Sequence, residues 1–160
     1  MNALSRRDFK GFFEDFSVGD VYRHARGKTV SELDNVLITN MVLNTAEPHF
    51  NEHAAQSDPM FGERTVYGGI TIAMVIGLAA QDTAQQALCE LGMDNIRLFA
   101  PVHHGDTLYA FTEVIATEAD PDKGGGSVTF LHRGYNQHEV LVCAGERRAF
   151  IASRAHDQND

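Results

Sequence analysis

The apolar run of residues 70–80, which follows Gly68-Gly69, constrains the fold of this chain more than any other feature. Thr71 is its only polar side chain, so a helix formed by the run is apolar on nearly every side and has to be covered by other parts of the molecule. The run is too short to span a bilayer. It therefore predicts a buried central helix, which continues through further Ala and Leu residues as far as Gly92.

The second half of the chain has the pattern of β-strands. β-branched and aromatic residues alternate there between turn signals. The predicted strands cover residues 95–101, 106–117, 126–135 and 140–153, and an earlier strand covers residues 20–29. Helices early and strands late predict an α+β domain, in which an antiparallel β-sheet wraps around the long central helix.

A second helix is predicted between the first strand and the central helix. Ser31 and Asp34 have the spacing of a capping box. The residues that follow at helical spacing are Leu33, Val36, Leu37, Asn40 and Met41. Pro48 is expected to stop this helix, because helical dihedrals are disfavoured before a proline. Residues 44–49 are therefore predicted to form a loop whose side chains project into a cleft.

The length, charge and terminal sequence of the chain indicate what kind of protein it is. A chain of 160 residues suits one domain, with residues 1–10 predicted to be flexible and residues 154–160 to form a tail. The net charge of −9 argues against a generic nucleic-acid binder. The N-terminus lacks the apolar stretch of a signal peptide, and Cys89 and Cys143 are expected to be buried free thiols of a reducing compartment. We therefore expect a cytoplasmic protein that binds neither nucleic acid nor membrane.

His49 lies in the predicted loop, before the glycines that open the central helix. An imidazole can move a proton near neutral pH, and the free N–H groups of a helix start can hold a developing oxyanion. Together they suggest chemistry on a carbonyl compound, so an enzyme is the first hypothesis. His49 and His53 are four residues apart, but no third ligand is evident and no metal site is predicted.

Three motifs carry a resemblance to a known family. They are Asn44-Thr45-Ala46-Glu47-Pro48-His49-Phe50, Pro101-Val102-His103-His104-Gly105-Asp106-Thr107-Leu108-Tyr109-Ala110 and His132-Arg133-Gly134-Tyr135-Asn136-Gln137. In these motifs and in their order the chain resembles the MaoC-like dehydratases, which include the R-specific enoyl-CoA hydratases. It is most similar to their mesaconyl-CoA hydratase (2-methylmalyl-CoA dehydratase) branch. The resemblance covers nearly the whole chain and implies a single hot-dog domain.

The resemblance also implies roles for residues of the loop. In the family pattern Asp-x-Asn-Pro-x-His, the Asp and the His hold and deprotonate the water that adds to an enoyl thioester. His49 falls on the His, Asn44 on the Asp and Ala46 on the Asn. An Asn cannot act as a base, although its amide can orient water or substrate. Glu47, the one carboxylate in the loop, is therefore the candidate second acid or base.

The family holds the thioester oxygen on a glycine amide at the start of the central helix. This glycine corresponds to Gly68, or to Gly69 if the register shifts by one residue. A glycine lets the oxygen approach the backbone closely, and the helix dipole favours its negative charge. Arg64, just before the glycines, is the nearest candidate for binding an anionic group of the substrate.

The resemblance therefore implies an acyl-CoA hydratase or dehydratase, which adds or removes water across a 2-enoyl-CoA and 3-hydroxyacyl-CoA pair. A mesaconyl-CoA-like branched or dicarboxylic acyl group is a candidate substrate. The resemblance implies no metal or redox cofactor beside the CoA thioester substrate, and a homodimer or higher homo-oligomer.

Two alternatives stay open. A hot-dog acyl-CoA thioesterase would need a carboxylate from the central helix, which offers no acid before Asp82. A non-catalytic acyl-CoA-binding protein is favoured by the replacement of the family Asp and Asn.

Overall fold

Five antiparallel strands form one sheet, which wraps around the helix at residues 68–83. The computed structural model describes residues 9–157. The strands are β1 (Val21–Thr29), β2 (Ala87–Leu98), β3 (Thr107–Asp120), β4 (Gly125–Tyr135) and β5 (Leu141–Ala152), in the order β1-β3-β4-β5-β2. The helices are α1 (Glu32–Met41), α2 (Glu47–Phe50), α3 (Glu52–Ser57), α4 (Gly68–Thr83) and α5 (Arg154–Asp157), with 3-10 turns at Phe13–Asp15 and Pro121–Lys123. The predicted α+β architecture is confirmed.

The two ends of the chain are only partly described. Residues 1–8 and 158–160, which belong to the segments predicted as flexible and as a tail, lie outside the described residues. Within the segment predicted as a tail, Arg154–Asp157 form α5. The guanidinium of Arg154 pairs with Asp15 near the other end of the chain. Among the helices in residues 9–157, we find no candidate for a transmembrane segment by length and hydropathy.

Apolar contacts hold α4 against the sheet. Ile70 and Val75 are at most 1% exposed and pack in one cluster with residues of β3 and β5. The helix is not covered on every side, contrary to the sequence prediction, because Ala73 and Gly77 are exposed. One sheet covers one side of a helix, so a face of α4 stays open in the single chain.

α4 ends at Thr83, earlier than the end predicted near Gly92. Residues 87–98 form β2, which pairs antiparallel with β5, and the strand predicted for residues 95–101 ends at Leu98. Ala and Leu favour a helix by local propensity. Pairing with β5, however, provides hydrogen-bond partners for the backbone N–H and C=O groups along one side of the strand. Tertiary pairing therefore outweighs local propensity here.

α1 begins with the predicted cap, in which Asp34 N–H donates to Ser31 Oγ at 3.1 Å. It ends at Met41, and Leu43 follows in the left-handed conformation with φ of 57°. Pro48 does not stop this helix. It lies in the first turn of α2, where its missing N–H removes no helical hydrogen bond.

The fully buried residues of α1 are polar, although Ile38 also packs partly buried against the core. Asn35 and Thr39 are fully buried, whereas Leu33, Leu37 and Met41 are each more than half exposed. The apolar side chains of an amphipathic helix normally face the core, so this orientation departs from the sequence pattern. It is possible because Asn35 and Thr39 both find hydrogen-bond partners in the interior.

β2 forms an edge of the sheet and is open to solvent along most of its length. Its apolar side chains that are between 41% and 57% exposed are Leu88, Leu91, Met93, Ile96 and Leu98. Cys89 on this strand is exposed, which corrects the prediction that both thiols are buried; Cys143 on β5 is buried as predicted, and both are free.

A chain of polar side chains ties α4 to three strands. Asp82 Oδ2 is 2.6 Å from His24 Nδ1, and His24 Nε2 is 2.7 Å from Thr112 Oγ1. Thr112 Oγ1 is also 2.8 Å from His132 Nδ1. The hydroxyl has one proton for two ring nitrogens, so it donates to one imidazole and accepts from the other.

Removal of this hydroxyl should destabilise the fold. Valine has the shape of threonine, so Thr112→Val would leave two buried ring nitrogens without a partner. We expect the free energy of unfolding, measured in urea, to fall by about 1–3 kcal/mol. Thr117→Val, at an exposed position of the same strand, should change it by less than about 0.5 kcal/mol. Equal effects of the two substitutions would contradict this role of Thr112.

The buried His132 should make stability depend on pH. Burial, followed by the charges of Arg147 and His24, lowers the pKa of His132 from 6.5 to about 3. Between these values the unfolded chain binds a proton at this residue and the folded chain does not. The free energy of unfolding is therefore highest above 6.5 and falls by about 1.4 kcal/mol per pH unit below it. We expect His132→Gln to reduce the loss measured between about pH 7.5 and about pH 5, whereas His138→Gln, at an exposed turn, should not.

Candidate active site

His49, the third residue of α2, is held by the segment that leads into α4. Its Nδ1 is 3.0 Å from the carbonyl oxygen of Thr65 and 3.2 Å from Thr65 Oγ1. A carbonyl oxygen can only accept, so Nδ1 carries the proton of the neutral ring and Nε2 keeps its lone pair. The half-buried imidazole can therefore take up a proton at Nε2.

The ring of His49 lies against the first residues of α4. Its centroid is 5.6 Å from the ring centroid of Tyr67, the N-cap residue of the helix. The prediction that His49 lies beside a helix start is confirmed.

Within the described part of the chain, two backbone N–H groups at this helix start have no hydrogen-bond acceptor. Ile70 and Thr71 N–H donate to the carbonyl of Tyr67, and Tyr67 N–H donates to the side chain of Asn35. Gly68 and Gly69 N–H have no acceptor among residues 9–157. Together with the helix dipole they form a place where negative charge is stabilised.

Both glycines are closely approached by side chains. A Cβ at Gly69 would lie 2.5 Å from Cε1 of the Tyr67 ring, and a Cβ at Gly68 would lie 2.2 Å from Cδ1 of Leu98. The side chain of Leu98 is 57% exposed and free to turn. The Tyr67 ring, in contrast, packs against His49, so a side chain at residue 69 would disturb the imidazole.

The other two predicted residues of the loop have local partners. Asn44 Oδ1 accepts from Ala46 N–H at 3.2 Å, so the carbonyl half of its amide is used in a turn. Glu47 is exposed and accepts from Asn51 Nδ2 at 2.8 Å. The structure places both residues in the His49 loop, and their catalytic roles stay predictions.

Arg64 joins three segments of the chain. Its guanidinium donates to Glu32 of α1 at 2.5 Å and to Glu52 of α3 at 2.7 Å. These hydrogen bonds raise the pKa of Arg64 and lower the pKa of each carboxyl group. A substrate anion at Arg64, the role predicted from the sequence, would have to compete with both carboxylates.

Three residues that the sequence reasoning missed position the site. Thr65 and Tyr67 contact the imidazole of His49, and Asn35 donates through Nδ2 to the carbonyl oxygen of His49 at 3.0 Å. Asn35 lies opposite the apolar stripe of its helix, which by pattern alone is the solvent face. No local signal indicated that it is buried.

Comparison with known sequences gives a family match. The sequence model of the mesaconyl-CoA hydratase family matches residues 6–153. The mesaconyl-CoA hydratase of Haloarcula marismortui is 32% identical over 156 residues, which cover 88% of this chain and 41% of that protein. The beta-methylmalyl-CoA dehydratase of Chloroflexus aurantiacus is 34% identical over 111 residues, covering 69% of this chain and 31% of that protein. The chain thus spans about two fifths or less of the length of these relatives.

Comparison with solved structures identifies the fold. A Mycobacterium tuberculosis protein described as having a double hotdog fold superposes with a TM-score of 0.79 at 21% identity. The match covers 89% of this chain and 44% of that one. The hot-dog fold expected from the sequence is confirmed.

Gly69 and Gly77, both within α4, offer a matched test of the close packing. A Cβ at Gly77 would meet no atom within 4 Å, so Gly77→Ala should raise the free energy of unfolding by roughly 0.5–1 kcal/mol. Gly69→Ala should lose this gain, because the ring of Tyr67 has to move. Urea denaturation measures the difference, and NMR of the His49 ring protons should show a shift in Gly69→Ala alone. Equal stabilisation with unshifted His49 signals would contradict the packing.

Proposed function

Because the chain belongs to the mesaconyl-CoA hydratase family, we propose that it is an acyl-CoA hydratase or dehydratase acting on a 2-enoyl-CoA and 3-hydroxyacyl-CoA pair. One arrangement carries the proposal: a ring nitrogen of His49 that can accept a proton, beside the two unpaired N–H groups of Gly68 and Gly69.

In the direction of hydration, His49 Nε2 takes a proton from water while the water oxygen bonds to the β-carbon of the enoyl thioester. The electron pair of the double bond moves to the thioester oxygen, which becomes an enolate oxygen held by Gly68 N–H. The enolate then collapses, and the proton on His49 passes to the α-carbon. The imidazole returns to its starting state, and one water has been added.

The unpaired N–H groups contribute because charge develops on the oxygen only as the enolate forms. A hydrogen-bond donor directed at such an oxygen is typically worth about 2.7–4 kcal/mol of transition-state stabilisation. Asn44, whose Oδ1 is taken by Ala46 N–H, keeps amide hydrogens with which it can orient the attacking water. Glu47, exposed and bonded to Asn51, is the proposed assisting acid or base.

The acyl group of the substrate is proposed from the relatives. Their names specify mesaconyl-CoA and beta-methylmalyl-CoA, so a branched, carboxylated acyl-CoA is the first candidate. Arg64 is the proposed partner for the carboxylate, in exchange for Glu32 or Glu52. The chemistry written above needs no metal or redox cofactor, and the cytoplasmic location expected from the sequence stays a prediction.

A homodimer would complete the site. Gly68 lies beside Leu98 at the end of the edge strand β2, and the face of α4 with Ala73 and Gly77 is exposed. A cavity of about 640 Å³ lies between β1 and the second half of α4, and neither His49 nor Gly68 lines it. We propose that a second hot-dog domain pairs along β2 and supplies the missing wall beside Gly68.

The thioesterase alternative has less support. Its carboxylate would be Asp82, fourteen residues beyond Gly68 and therefore about 21 Å along the helix. Asp82 is bound to His24 there, in the hydrogen-bonded chain that ties α4 to the sheet.

One assay separates the functions. Purified protein is incubated with crotonyl-CoA and with mesaconyl-CoA, and enoyl absorbance and free thiol are followed together. We expect enoyl loss without thiol release. Thiol release would indicate a thioesterase, and tight binding without turnover would indicate a binding protein.

His49 is the residue to test. We expect His49→Ala to lower turnover of the enoyl-CoA by at least about 100-fold, because general acid–base catalysis typically contributes that much. His53→Ala, an exposed imidazole on the next helix, is the matched control and should keep wild-type turnover. Full activity of His49→Ala would overturn the assignment.

A further inference from the structure

We propose that Asn35 is a positioning residue for the proposed reaction, because its amide bonds the backbone of His49 to the residue that precedes Gly68. The expected effect of Asn35 on catalysis rests on the proposed function. Its effect on the position of His49 rests on the hydrogen bonds alone.

The amide of Asn35 is shared between the two halves of the site. Nδ2 donates to the carbonyl oxygen of His49 at 3.0 Å, and Oδ1 accepts from the backbone N–H of Tyr67 at 3.1 Å. The carbonyl can only accept and the N–H can only donate, so the orientation of the amide is unambiguous. Asn35 is fully buried, so both contacts are shielded from solvent.

The first consequence is that the distance from the imidazole to the helix start is fixed. Thr65 N–H donates to the carbonyl of Pro48 at 2.9 Å, and the carbonyl of Thr65 orients the His49 ring. These contacts set the direction of the ring. Among residues 9–157, Asn35 is the one side chain that hydrogen-bonds both to His49 and to the N-cap residue of α4.

The second consequence concerns which N–H groups are free. Tyr67 is the N-cap residue directly before Gly68, and its N–H is taken by Asn35 Oδ1. The thioester oxygen is therefore offered Gly68 and Gly69 N–H only.

The chemistry of the site explains why an asparagine is needed. Aspartate could accept from Tyr67 N–H but would set a carboxylate against the carbonyl of His49 and close to the enolate. Alanine would leave both backbone groups unpaired. Asparagine supplies one donor and one acceptor without a charge.

Thr39 provides the control. It lies one turn further on the same buried side of α1 and is fully buried like Asn35. Its hydroxyl bonds to carbonyls of its own helix, those of Asn35 and Val36, at 2.7 and 3.1 Å. Thr39→Val therefore removes a buried hydrogen bond from the same helix and leaves the hydrogen bonds of His49 and of Tyr67 in place.

The experiment compares Asn35→Asp, Asn35→Ala and Thr39→Val in the full chain. kcat and KM for the enoyl-CoA are measured across pH, together with urea unfolding and the NMR titration of the His49 ring. We expect both Asn35 variants to lower kcat by about 100-fold, the usual cost of a small misplacement of a catalytic group, with little change in KM. Thr39→Val should keep kcat even where it lowers stability.

The pH profile separates positioning from general stability. A carboxylate at residue 35 favours the imidazolium of His49, so the acid limb of kcat/KM and the NMR titration should both move to higher pH in Asn35→Asp. They should stay in place in Thr39→Val. If Asn35→Asp does not fold, Asn35→Ala carries the test, with lowered kcat and displaced His49 signals expected.

Wild-type kcat in the Asn35 variants, or an equal loss in Thr39→Val, would overturn the proposal. An inactive wild type would instead overturn the proposed function. The His49 signals of the variants then decide whether Asn35 positions the imidazole, and unchanged signals count against it.

Discussion

The burial of α4 against the sheet is the constraint on which the rest of the molecule depends. Apolar contacts hold the middle of the helix, but such contacts are not directional and allow a helix to turn or slide. Hydrogen bonds, which are directional, hold the two ends: Tyr67 N–H is bound by Asn35, and Asp82 is bound by His24. The unpaired N–H of Gly68 is therefore presented at a defined place, which the proposed chemistry requires.

The main elements of the fold could be predicted from local patterns. The uncharged run at residues 70–80 identified the central helix, and alternation identified the strands of the second half. In the first part of residues 87–98, Ala and Leu favour a helix by local propensity, whereas pairing with β5 makes the segment a strand. The local sequence of residues 87–98 does not show that β5, far away in the chain, has an edge with which this segment can pair.

The residues of the candidate site likewise fall into those that the local sequence could indicate and those that it could not. The placement of His49 beside the helix start at Gly68 could be predicted, because the loop motif and the two glycines stand in the sequence itself, whereas their catalytic roles stay predictions. Asn35 and Thr65 could not be predicted, because each acts through a residue at least fourteen positions away in sequence. Arg64 illustrates the same limit: its two carboxylate partners come from α1 and α3, and the sequence shows only an arginine before two glycines.

Pairing of two chains along the exposed edge strand β2, as proposed above, would link the stability of the protein to its concentration. In the homodimer that we propose, unfolding also separates two chains, so its equilibrium follows mass action. Each tenfold rise in concentration then adds about 1.4 kcal/mol to the stability of the dimer. Leu98 lies at the end of this strand beside Gly68, so dilution would remove the wall of the site together with the partner. The specific activity of the chain would thus depend on its concentration as well as on its sequence.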